Sequence, residues 1–277
     1  MDPTPANERY LFRKPTGSPA DRGAAPPRYR REAGPGGMLI ERDVAVPVRG
    51  GVTVYADVFR PASGRPAPPL IAWSPYGKHA GPQLPERYPD GGVAPGQLSG
   101  YTAFESPDPV YWTARGYAVV NADIPGTWFS GGDATFLSPE EAVAGHDLIE
   151  WAGTQSWSNG RVGLSGVSYL TSSQWTIAAT RPPHLAAINP WEGWSDTYRE
   201  VARHGGISLM PVAPGAEPQA ADLLGFPRGR HLVRPRPLEP GSAVAHDRGA
   251  GPRRGRAVRR PGVPPLCGEV ADVRGSP

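Results

Sequence analysis

A serine at a sharp turn between a buried strand and the next helix presents its hydroxyl outward, with backbone N–H groups converging beside it. Residues 161–180, RVGLSGVSYLTSSQWTIAAT, read as such a junction. Gly166 stands two before Ser168, where a side chain would collide with the turn, and Tyr169 follows it. The chemistry on offer is acyl transfer, which needs an oxygen nucleophile, a base to take its proton, and donors aimed at the developing oxyanion. Leu170 occupies the position of the second glycine of G-x-S-x-G, so the motif is incomplete. Ser165 competes, because Gly163-Leu164-Ser165-Gly166 has a similar look; it lies within the strand rather than at its end, which favours Ser168. A serine in an ordinary βα loop that caps the following helix would give the same local pattern.

The elements that must position this turn are legible in the preceding residues. MLIERDVAVPV and VTVYADVFRP each alternate apolar and polar residues across Arg49-Gly50-Gly51, which predicts a β-hairpin. Leu70 to Trp73 is a short apolar run stopped by Ser74-Pro75-Tyr76-Gly77, and Tyr117 to Asp123 is a second buried-type strand. A long Gly/Pro-rich loop, 77–105, separates the first of these from DPVYWTAR, a short helix with a capping Asp108 and Pro109 at its first position. Ser138-Pro139-Glu140-Glu141 opens another helix with a capping-box pattern, and Leu185 to Asn189 is a further strand. Strands alternating with helices predict βαβ units, hence an α/β fold with a mostly parallel sheet covered by helices on both faces and the hairpin at one edge.

Of 277 residues, 36 are Gly and 36 Pro, yet eight Trp and ten Tyr require a packed core somewhere. One cysteine excludes disulfide scaffolds and cysteine-based metal folds, and no metal-ligand spacing or phosphate loop emerges. No apolar run approaches the ~18 residues of a membrane span, and the N-terminus lacks an apolar signal region, so the expected location is the cytoplasm. Residues 226–277 carry 11 Arg, no Lys and 4 acidic side chains, so the basic pI of about 9.1 belongs to the tail and the remainder is mildly acidic. The folded part therefore does not present the basic face that nucleic-acid binding requires.

With those elements in place, GLSGVSYL, preceded by WAGTQSWSNGRV and followed by INPWEGWSDTYREVARHGGI, resembles the CocE/NonD hydrolases, the cocaine-esterase and Xaa-Pro dipeptidyl-peptidase-like serine hydrolases. The hairpin, LIAWSPYGK and GYAVVNADIPGTWFSGGD fit the same family in the same order, and the resemblance covers roughly 38–225. It implies an α/β-hydrolase fold with a helical cap inserted after the sixth core strand. It implies that Ser168 is the nucleophile, with the oxyanion held by the Tyr169 backbone N–H and the Tyr76 hydroxyl. The implied substrate is a small-molecule ester or a short peptide, with no cofactor. Thr171 departs from the family's usual glycine and puts a β-branched side chain in the first turn of the nucleophile helix. On residue type alone, Tyr76 is a turn tyrosine whose ring packs while its hydroxyl stays wet.

In α/β-hydrolases the acid and then the histidine follow the serine. His184 and His204 do not fall where the family's histidine would, and His231 and His246 lie in the tail. Asp123 precedes the nucleophile, Asp133 reads as a turn residue, and Trp191 and Trp194 read as core aromatics at a cap hinge. The tail has 28 Gly, Pro and Arg among 52 residues and no Trp or Tyr, which predicts disorder. Its composition is also what an out-of-frame reading of GC-rich DNA produces. The organisation expected is an arm at 1–36, an incomplete hydrolase core at 37–193, the start of a cap at 194–225 and a disordered, frameshifted tail at 226–277. Such a chain is expected to be an inactive serine hydrolase of limited solubility. The alternative is a non-catalytic polypeptide whose basic tail binds nucleic acid or acidic surfaces.

Overall fold

Alternation in the two opening runs produces the expected hairpin. β3 (Met38–Val48) and β4 (Val52–Pro61) pair antiparallel from Met38↔Pro61 to Val48↔Val52. The register shifts between Glu41 and Val44, where Asp43 takes a φ of 55°, and this bulge re-aims its carboxylate inward. The structure, a computed structural model of the chain, describes residues 10–13, 20, 24–79, 90–94, 96–205, 207–208 and 231–235. These all lie within the first of two units, 1–236 and 237–277.

The remaining strands, among them β2 (Arg30–Ala33), continue the hairpin into one seven-stranded sheet of order β2-β3-β4-β6-β5-β7-β8. β6 (Ala118–Asp123) pairs antiparallel with β4, and β5 (Pro69–Ser74), β7 (Val162–Val167) and β8 (Leu185–Trp191) run parallel to it in turn. The sheet is mixed, with a parallel half that carries the crossovers and a hairpin edge, as the alternation of elements predicts.

Helices cover both faces. On one, Val110 and Trp112 of α1 (Pro109–Thr113) pack on Met38, Ile40, Phe59 and Val119. On the other, Leu148, Ile149 and Ala152 of α2 (Pro139–Gly153) and Leu170 and Ile177 of α3 (Tyr169–Ala179) join Val54, Val58, Ile71, Val120 and Leu164 in the main core. Consecutive residues of β6, Val119 and Val120, point into the two cores, as strand pleating requires. Asp108 caps α1 by accepting the Val110 and Tyr111 N–H groups.

Three expectations are revised. Residues 30–33, placed in the arm, form β2 (Arg30–Ala33) on β3, drawn there by Tyr29–Glu41 and Arg42–Glu32 hydrogen bonds and an Arg30–Asp43 ion pair. Likewise β1 (Tyr10–Arg13) pairs antiparallel with β11 (His231–Pro235), joining the arm to the tail segment. The strand that the sequence places at 161–165 extends two residues further, so β7 stops directly before Ser168. In the expected cap, a π-helical turn at Thr197–Ala202 leads to two short strands, β9 (Arg203–His204) and β10 (Ile207–Ser208); residues 206 and 209–225 lie outside the described residues. The other tail residues lie outside them too.

Candidate active site

β7 delivers Ser168 at the carboxyl edge of the parallel strands, and α3 begins immediately after it. Ser168 adopts φ 57° and ψ −113°, a conformation that an L-residue holds only when its surroundings over-determine it. Those surroundings are identifiable. The Val167 N–H donates to the Glu105 carbonyl at 3.2 Å, and the Ser168 N–H is shared between the Trp191 and Glu192 carbonyls at 3.2 and 3.1 Å. Gly166 sits at φ 151°, and a Cβ there would come within 2.5 Å of the Leu170 Cβ. The glycine two before the serine is thus required both by torsion and by space.

Ser168 is half-buried and its side chain makes no capping hydrogen bond to α3. Its carbonyl instead accepts the N–H of Thr171 and Ser172 at 3.1 and 3.0 Å. The Tyr169 N–H is the first of the helix, one of those that have no acceptor within it, and no other acceptor for it occurs among the described residues. Ser165, by contrast, is buried inside β7 with its hydroxyl accepting a long 3.4 Å contact from the Asn189 amide. Of the two serines, Ser168 is the one at the turn.

Tyr76 and Tyr169 meet. Their rings lie edge to face with centroids 6.3 Å apart, and Tyr76 also contacts Phe104 edge to face at 5.2 Å. Tyr76 follows β5, where Ser74 Oγ accepts its N–H at 3.0 Å. Two residues on, the Lys78 ammonium is buried between Asp43 and Asp57, at 2.5 and 2.9 Å. Arg42 and His79 also bond Asp57, at 2.8 and 3.1 Å. Burial alone would raise the Asp57 pKa, but the His79 hydrogen bond and the Lys78 charge overcome it and hold the carboxyl well below the usual range. This cluster fastens the Tyr76 loop to the hairpin. Sequence reading missed it, although a lone Asp57 inside an apolar strand and a lysine two after Tyr76 were its visible signs.

Thr171 fits against its neighbours. Its methyl carbon fills the place where a Cβ of Gly193 would come within 2.2 Å, and its hydroxyl bonds the Gly166 carbonyl at 2.9 Å while accepting the Trp191 N–H at 2.7 Å. The tyrosine beside it is anchored as well. The Tyr169 hydroxyl donates to Glu141 Oε2 at 2.6 Å, and burial raises its pKa well above 10. Burial also pushes Glu141 up to about 7, against the pull of hydrogen bonds from Tyr169, the Leu137 N–H and Trp73.

The other candidates fall elsewhere. His184 bonds Glu150 at 2.7 Å and its carbonyl accepts the N–H of Val162, the first residue of β7, whereas Ser168 follows the last. A six-residue strand puts those ends ~20 Å apart. No histidine among the described residues bonds to Ser168; His204 and His231 are described in backbone only, and His246 lies outside. Asp123 is buried at the end of β6, where burial raises its pKa to about 8 despite the nearby Lys78 charge. Asp133 lines a cavity of about 270 Å³ together with Glu141 and Arg49. Trp191, expected in a core, is 60% exposed, its indole N–H donating to Asn189 at 2.7 Å. It is exposed because β8 is the last strand of the sheet and nothing described covers it. No group of His, Cys, Asp and Glu among the described residues has metal-binding geometry, and no described helix is long and apolar enough to cross a membrane.

Comparison with known proteins places this geometry in context. The family described as X-Pro dipeptidyl-peptidase (S15 family) matches residues 50–231. Cocaine esterase from Rhodococcus sp. is 32% identical over 164 residues, which are 59% of this chain and 25% of that protein. An Xaa-Pro dipeptidyl-peptidase from Lactobacillus helveticus is 33% identical over 158 residues, 49% of this chain and 19% of that one. A crystal structure of a CocE/NonD family hydrolase from Staphylococcus aureus superposes with a TM-score of 0.57 at 42% identity, covering 62% of this chain and 30% of the other. The matched part thus spans under a third of the length of these relatives.

Proposed function

Because the chain belongs to the S15 family of X-Pro dipeptidyl-peptidases, whose relatives include esterases, we propose that Ser168 is the nucleophile of a serine hydrolase acting on ester or Xaa-Pro peptide bonds. The observation that carries this reading is the positive φ of Ser168 at the β7–α3 turn, beside the first N–H of α3, which has no acceptor among the described residues. In the proposed reaction Ser168 Oγ bonds to the acyl carbon, and its proton passes to the departing alcohol or amine. The former carbonyl oxygen takes the negative charge and accepts hydrogen bonds from the Tyr169 N–H and the Tyr76 hydroxyl. Collapse of this adduct breaks the bond to the alcohol or amine, which leaves with a proton, and water then releases the acid and restores Ser168. Removing one oxyanion donor in such a site typically costs about 3–4 kcal/mol.

Preorganisation supports the assignment. Tyr76 is fixed by aromatic contacts and by the buried Lys78 pair two residues away, so its hydroxyl need not be ordered at the moment of reaction. No histidine among the described residues bonds to Ser168, so single acylation is the fitting assay. A fluorophosphonate probe should label Ser168, located by peptide mass spectrometry, and S168A should abolish the label. Folded protein that stays unlabelled would sink the proposal.

A further inference from the structure

Glu141 is three residues past Ser138, the cap of α2, and Ser138 Oγ already accepts the Glu141 N–H at 3.1 Å. A glutamate at that position ordinarily reaches back to the N–H of the capping residue itself. Here it does something else. Oε2 accepts the Leu137 N–H at 2.8 Å and the Tyr169 hydroxyl at 2.6 Å, and Oε1 accepts the Trp73 indole N–H at 3.1 Å. The side chain is 3% exposed, and burying a carboxylate is costly unless its oxygens are bonded. Capping alone therefore does not account for it.

The three donors come from the three segments that frame the candidate site. Trp73 is in β5, which leads into the Tyr76 loop. Leu137 closes the loop after β6 at a φ of 55°, next to Phe136, whose ring stands edge to face with Tyr169 at 6.3 Å. Tyr169 is the residue after Ser168 and carries both the gripped hydroxyl and the first N–H of α3. We propose that Glu141 is a positioning residue for the oxyanion site: by gripping the Tyr169 hydroxyl it sets the aim of the Tyr169 N–H and the place of the Tyr76 ring packed against it. This rests on Ser168 being the nucleophile. Glu141 itself touches no reacting atom. The carboxylate is needed in full, since it presents acceptors to three donors at once; a glutamine would turn an N–H₂ toward at least one of them.

The test uses the full 277-residue chain and the variants E141Q, Y169F and their double. Y169F keeps the backbone N–H and loses the grip, together with the 3.2 Å hydrogen bond that the hydroxyl accepts from the Leu137 N–H. Each single variant is expected to slow fluorophosphonate labelling of Ser168 about tenfold or more, with the double no slower than the worse single. Amide exchange at Tyr169, followed by NMR, should speed up by a similar factor while Val119 and Val120 in β6 stay protected. A Glu150→Gln control, which breaks the His184 pair, separates general destabilisation: it should lower the melting temperature and leave labelling alone. Labelling of E141Q at the wild-type rate, or losses that simply multiply in the double, would overturn the proposal. Should E141Q not fold, Y169F decides, and a wild-type rate there overturns it equally. If even the wild-type chain takes no label, the nucleophile reading fails on its own, and unchanged Tyr169 exchange in the variants would then overturn the grip as well.

Discussion

One backbone torsion, φ 57° at Ser168, is stored strain, and its persistence depends on single residues around it. Gly166 is the most exacting. Gly166→Ala places a Cβ 2.5 Å from the Leu170 Cβ at a φ disfavoured for L-residues, and should cost about 2–4 kcal/mol, read as a lower urea midpoint. An unchanged midpoint would mean that the turn relaxes around the added carbon. Lys78 is the second such residue. Asp57 is wholly buried, so Lys78→Met leaves Asp57 and Asp43 facing each other with less compensation, an expected loss of about 3–5 kcal/mol. Adding Asp57→Asn should recover part of that loss in the same denaturation experiment, because the uncompensated charge is what makes the single variant costly.

Among the elements, the join between α3 and the end of β8 determines whether the nucleophile turn is held. Thr171 and Gly193 are complementary there: one contributes the carbon atoms, the other the space. Gly193→Ala overlaps Thr171 Cγ2 and Cβ and should destabilise by about 1–3 kcal/mol. Thr171→Gly removes both overlapping atoms, so the T171G/G193A double should be no less stable than T171G alone. Strict additivity of the two losses in thermal unfolding would refute the complementarity. The departure from glycine at 171 therefore reads as half of a pair, and its hydroxyl adds a tie between β7 and β8 that glycine could not make.

For the whole molecule, two groups of carboxylates oppose each other in pH dependence. Burial raises Glu141 to about 7 and Asp123 to about 8, so their contribution is fully present below their unfolded pKa values and is lost as pH rises through the folded ones. Asp57 and Asp108 are lowered by their partners, so theirs is present above about pH 4 and is lost in acid. The urea midpoint should accordingly fall between about pH 4.5 and 8. Glu141→Gln should flatten the part below pH 7, an effect on the order of 3 kcal/mol. A flat wild-type profile would show that these carboxyls titrate in the folded protein as they do in the unfolded chain. The sheet edges differ as well. β2 presents Arg30, Arg31 and Glu32, whereas β8 is largely apolar and mostly exposed. Unprotected edges promote association, so light scattering should show mass rising with concentration, and Ala187→Lys should suppress the rise.

Local signals in the chain account for the hairpin, from period-two alternation, for both capped helices, and for the serine at the β7–α3 turn, from its glycine two residues earlier. The sequence also carried the family resemblance, which the match over residues 50–231 bears out. What depends on contacts distant in the chain emerges with the fold. Glu141 looked like half of a capping box, yet its acceptors serve Trp73 and Tyr169, 68 and 28 residues away. Thr171 looked like a defect until Gly193 stood against it, and residues 30–33 looked like loose arm until β3 offered a partner. A pattern in sequence records which face of an element is apolar. It does not record which polar groups will be buried together, because that depends on where the chain returns.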